Sequence, residues 1–210
     1  MTFLGARRGL QLLLGLFLYG FSLAMMIRAT LGVSPWDVLG QGGSLRTGIP
    51  FGTMTIIIGV IVLLLWIPLR QRPGIGTVLN VLLVGPSAEI GLALIGEPSQ
   101  LWARILLFTG GLVLLAVASG LYIGARLGPG PRDGLMTGLH TRFGLPIWLV
   151  RTAIEGTVLL LGWSLGGSVG AGTVAFALLI GPMINIALPV FRMPERAGPR
   201  LELLPSERTP

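Results

Sequence analysis

Four acidic side chains stand where acids are costly. Glu89 and Glu155 fall inside long apolar stretches, and Asp37 and Asp133 open short polar segments between such stretches. A carboxylate in an apolar span faces a cavity or a partner, and a single titratable group there suits proton coupling. Glu89 lies one helical turn after Gly85 and Pro86. Asn185 stands one turn after the corresponding Gly181 and Pro182. Arg151 and Glu155 are one turn apart, so on a helix they share a face and form an ion pair, with Arg151 reaching toward the interface. The alternative for Glu155 is to line a path together with Glu89.

Other chemistry is excluded by composition. The chain has no Cys and a single His, His140, so thiolate sites, histidine metal clusters and cysteine nucleophiles are ruled out. It contains no H-E-x-x-H and no phosphate-binding P-loop. The expectation is a protein that is not an enzyme and carries no cofactor and no resident metal.

The elements that must hold these residues are membrane helices. Of 210 residues, 52% are hydrophobic and 11% charged, under half the charge of an average soluble domain, about 25%. Residues 11–27, 49–69, 105–125 and 169–191 carry no charge at all, and each is near or above the ~18–20 residues that cross a bilayer. Spans are expected near 9–28, 50–69, 75–95, 105–125, 146–165 and 171–191. All fifteen basic residues are Arg, placed at the ends of apolar stretches. That is membrane-flanking charge, so a nucleic-acid partner is rejected. The partners implied are the lipid bilayer and a small molecule, and the chain is compatible with a homo-oligomer.

Shifted by 96 positions, the sequence matches itself without a gap. Leu31, Gly32, Pro35, Asp37 and Leu39 fall on Leu127, Gly128, Pro131, Asp133 and Leu135. Arg46, Gly48 and Pro50 fall on Arg142, Gly144 and Pro146, and Gly85-Pro86 falls on Gly181-Pro182. About 25 of 62 positions from 31 to 92 are identical. The reading is a first three-span repeat over 1–96, a second over 97–191 and a disordered cytoplasmic tail over 192–210. An odd number of spans per unit makes the second copy enter from the opposite side, giving an all-α membrane protein of about six transmembrane helices as two inverted repeats. With both termini cytoplasmic, eleven Arg fall inside and three outside, in keeping with the positive-inside rule.

Each unit also holds a short polar helix, opened by Ser34-Pro35-Trp36-Asp37 and by Pro131-Arg132-Asp133. Ser suits the N-cap, Pro the first turn and Asp the positive helix end. These helices are too short to span. They lie on the interface or re-enter the membrane, where an N-terminus facing a cavity could hold an anion. The plainer reading is capping with an Asp37–Arg46 or Asp133–Arg142 surface contact. The Gly85-Pro86 and Gly181-Pro182 steps fall about 15 Å into their spans, near the midplane, where a kink or break is expected. Paired interruptions at matching positions point to a transporter site. Asn80 reads as a contact to a neighbouring helix and His140 as a surface residue.

The run Leu31-Gly32-Val33-Ser34-Pro35-Trp36-Asp37-Val38-Leu39, followed by Arg72-Pro73-Gly74-Ile75-Gly76-Thr77, resembles the YczE-like bacterial membrane proteins, distant relatives of the YitT group. The resemblance covers nearly the whole chain. It implies a multi-pass protein of the bacterial inner membrane, and it supplies neither substrate nor site residues. The function expected is a secondary transporter or exporter of a small molecule, with Glu89 as coupling group and Asp37 and Asp133 at the mouths. The alternatives are a membrane scaffold for a biosynthetic or signalling partner, and a channel.

Overall fold

A computed structural model describes residues 3–194. Among the described residues there are eight helices and no strand: α1 (Phe3–Ala29), α2 (Pro35–Thr47), α3 (Phe51–Trp66), α4 (Ile75–Leu94), α5 (Leu101–Gly124), α6 (Pro131–Phe143), α7 (Ile147–Ser164) and α8 (Ala171–Phe191). Five of them, α1, α4, α5, α7 and α8, are long and apolar enough to cross a membrane. At 16 residues α3 is short alone, and with α2 it forms a pair bent by 117° that can make a sixth crossing. The six expected spans thus correspond to α1, α3, α4, α5, α7 and α8 within a few residues.

Local chemistry sets the helix ends. Ser34 caps α2, its Oγ accepting the Asp37 N–H at 3.3 Å, with Pro35 in the first turn. Gly48 and Gly144 close α2 and α6 at φ 73° and 66°, a region costly for side chains with a Cβ. Thr77 and Thr173, themselves buried, each turn Oγ1 back to the N–H that precedes their helix, Gly74 at 3.2 Å and Gly170 at 3.3 Å.

Small residues bring the helices together, as expected where lipid removes the hydrophobic drive for association. Leu12, Leu16, Leu23 and Met26 of α1 pack on Phe108, Leu112, Leu115 and Ala116 of α5. A Cβ on Gly15 would meet Ala118 O at 3.1 Å, and one on Gly111 would meet Ser22 O at 3.1 Å. Position 118 is 96 beyond 22, and 111 is 96 beyond 15, so the two contacts are the same contact with partners exchanged. The loops repeat the exchange. The Gly76 N–H donates to Leu127 O at 2.8 Å and the Gly172 N–H to Leu31 O at 2.7 Å.

Two expectations are revised. Of the kink or break expected at the Gly-Pro steps, the break is absent: α4 and α8 continue through Pro86 and Pro182. Loss of one N–H at each Pro is tolerated inside an otherwise bonded helix. The tail expected from residue 192 is docked at its start, where the Met193 N–H donates to Gly124 O at 3.0 Å and Arg8 Nη2 to Pro194 O at 2.5 Å. Residues 195–210 lie outside the described residues.

Candidate functional site

The N-termini of α2 and α6 meet in the interior of the bundle. Arg132 Nη2 is 3.5 Å from Asp37 Oδ1, and the guanidinium lies 5.1 Å from the centre of the Trp36 ring. Asp37 is 2% exposed and also accepts a hydrogen bond from the Ser34 hydroxyl. The expected Asp37–Arg46 surface contact is therefore replaced by a buried pair between the two units. A burial this complete needs a counter-charge, which Arg132 supplies while its own side chain stays partly exposed.

Beside this junction is a cavity of about 550 Å³, within the usual range for small-molecule sites of roughly 300–1,000 Å³. Its apolar wall includes Ile58, Val62, Val84, Leu115, Phe176 and Ile180. Its polar wall holds Asn80, Ser119, Arg132, Asp133, Arg151, Glu155 and Asn185. Three more aromatic residues, Tyr19, Trp36 and Tyr122, complete it, Tyr19 and Tyr122 meeting edge to face at 6.5 Å. The Trp36 indole N–H and the Tyr122 hydroxyl are buried and have no hydrogen-bond partner among the described residues.

The candidates read from the sequence divide between the two halves. Asn185, Gly181, Asp133, Arg151 and Glu155 line the cavity. Arg151 Nε and Glu155 Oε1 are 3.0 Å apart. Pro86 and Pro182 are exposed on the outer surface, where lipid would lie. Glu89 and Gly85 do not line the cavity. Instead Glu89 Oε1 accepts the Gly52 N–H at 2.5 Å, an otherwise unbonded donor in the first turn of α3.

The cause of this division is a difference between α3 and α7. On α3, Gly52 and Gly59 let α4 come close: a Cβ on Gly85 would overlap Gly52 O, and one on Gly59 would meet Val81 Cγ1 at 3.0 Å. The positions 96 residues on from Gly52, Thr55 and Gly59 are Trp148, Arg151 and Glu155. Bulk and charge replace small residues, α7 makes almost no contact with α8, and Gly156 and Gly181 have open space beside them. The cavity fills the room left.

Among the described residues, Asp133 is the cavity acid that enters no ion pair. It starts α6, outside the spanning helices, and is itself exposed to the cavity, with protein atoms crowded around it that displace part of the surrounding water. That loss of solvent raises its carboxyl above the ordinary carboxylate range, against the pull of Arg132 and Arg151. Trp36, Arg132, Tyr19 and Tyr122 were not singled out from the sequence. One signal was present: Trp36 and Arg132 occupy the same position in the two units. The structure brings these two matched positions into contact, and cation with indole is a favourable pair.

A model of a family of unknown function, DUF6198, matches residues 6–189. An uncharacterized protein of Haemophilus influenzae is 38% identical over 87% of this chain and 84% of its own length. The uncharacterized membrane protein YczE of Bacillus subtilis is 33% identical over 83% of this chain and 82% of its own. The uncharacterized protein YyaS of the same organism is 24% identical over 84% and 90%. No solved structure matches. With most of the chain covered in each case, and with apolar helices enough for several crossings, this chain belongs to the DUF6198 family and is a YczE-like multi-pass membrane protein.

Proposed function

We propose that the protein is a secondary transporter of a small molecule, not an enzyme, built from two inverted repeats in the bacterial inner membrane with both termini cytoplasmic. The observation that carries this reading is the charged cavity where the N-termini of α2 and α6 meet, lined by residues of both units. Contacts that recur with exchanged partners, such as Gly76 to Leu127 and Gly172 to Leu31, are what a two-fold relation between the units produces. Such a relation with three crossings per unit makes the repeats inverted, and α2 and α6 then re-enter from opposite faces. Midplane sites between half-length helices are the common solution of such transporters. Arginine placement supports the orientation.

In this reading the titratable groups at the site are Asp133 and Glu155, while Glu89 holds α3. The test is reconstitution in liposomes with an imposed pH gradient, assayed with small organic cations, anions and neutral compounds. Gradient-driven uptake of at least one compound is expected, with its pH dependence altered by Asp133→Asn. No flux of any compound, together with a protein partner recovered by crosslinking, would replace this reading with that of a membrane scaffold.

A further inference from the structure

The cavity has a charge balance and an opening that together specify its ligand. Arg132 is matched by Asp37 and Arg151 by Glu155, which leaves Asp133 as one unmatched acid on the wall. The helix dipole of α6 offsets only part of a full charge. Tyr19 and Tyr122 present aromatic surfaces that stabilise a cation, the Trp36 ring being already covered by Arg132, and the buried Trp36 indole N–H and Tyr122 hydroxyl have no partner among the described residues.

The opening lies between α7 and α8. Arg151 is about 6 Å and Glu155 about 12 Å from the start of α7, and Asn185 is about 9 Å from the end of α8, at 1.5 Å per residue. Arg151 and Asn185 are exposed at the gap, and Gly156 and Gly181 leave it unfilled. Charged groups at such depth are unfavourable against hydrocarbon, so the gap suits a molecule with a polar head and an apolar body.

We propose that the cavity binds a singly charged lipophilic cation that enters sideways from the bilayer between α7 and α8, with Asp133 as its counter-charge. This rests on the reading of the cavity as a substrate site. Asp133 then holds either the cation or a proton, so that binding one displaces the other. The groups facing it are Arg132 on its own helix, Arg151 and Glu155 on α7, Tyr122 on α5 and Tyr19 on α1.

The experiment uses two ions of nearly equal size and opposite charge, tetraphenylphosphonium and tetraphenylborate, in saturable binding to the full protein in nanodiscs, with empty nanodiscs subtracted. The phosphonium is expected to bind at least tenfold more tightly than the borate, and more weakly as the pH is lowered. Asp133→Asn is expected to weaken phosphonium binding at least tenfold and to remove its pH dependence. Gly181→Leu, where a side chain meets open space, is expected to slow or abolish binding without loss of folding. Equal binding of the two ions, or unchanged phosphonium binding in Asp133→Asn, overturns the proposal. Charge-selective binding that depends on Asp133, with no flux of any compound in liposomes, supports this site and overturns the transport reading instead.

Discussion

Arg132 of α6 and Asp37 of α2 pair at 3.5 Å across the junction of the two units. The two residues come from one motif repeated 96 positions apart: both copies keep the acid, as Asp37 and Asp133, and only the second has Arg, where the first has Trp36. Removing the cation strands a buried acid. Arg132→Ala is expected to lower stability by about 2–3 kcal/mol, read by thermal unfolding in detergent. Arg132→Ala combined with Asp37→Asn should recover part of that loss. An unchanged melting temperature in the single variant would show that the pair contributes nothing.

Gly85 and Gly181 are counterparts with opposite surroundings. A Cβ at Gly85 overlaps the Gly52 carbonyl, which is backbone and cannot yield cheaply, whereas one at Gly181 meets nothing within 4 Å. Gly85→Ala is expected to destabilise by about 2–3 kcal/mol. Gly181→Ala should be neutral or stabilising by up to about 1 kcal/mol through helix propensity. Similar responses at the two sites would mean that the α3–α4 and α7–α8 contacts do not differ as described.

Glu89 caps α3 through Gly52. Glu89→Gln keeps an acceptor oxygen and loses the charge at a helix N-terminus, a change of roughly 0.3–1 kcal/mol. The expected outcome is a small drop in melting temperature with the pH profile of transport intact. A lost pH dependence in this variant would return the coupling role to Glu89.

The raised carboxyl of Asp133 makes stability depend on pH with a definite sign. The folded state favours the protonated form, so that stabilisation is present in acid and is lost as the pH rises through the raised value. Asp133→Asn should therefore melt higher than the parent at neutral and alkaline pH, and the difference should close on acidification. Parallel melting curves across the range would show that Asp133 is not desolvated.

The sequence by itself determined the inventory. Uncharged runs located the crossings, because a bilayer of fixed thickness demands a minimum apolar length. The match of Gly32, Asp37, Gly85 and Pro86 to Gly128, Asp133, Gly181 and Pro182 showed two units, because glycine, proline and aspartate are costly to repeat by chance in apolar segments. The Arg151–Glu155 pair was legible because helix geometry alone brings residues one turn apart together. Tertiary structure decided which acid faces the cavity. From the sequence Glu89 reads as the coupling acid inside a span and Asp133 as an acid at the start of a short polar helix. One meets the free N–H of Gly52 and the other meets an open cavity, since α4 reaches α3 across small residues while Arg151 and Glu155 stand where α8 would have to pack. Spacing along the chain fixes neighbours within one helix; which helix comes close depends on the volume of side chains from another, and that becomes visible only once the helices are assembled.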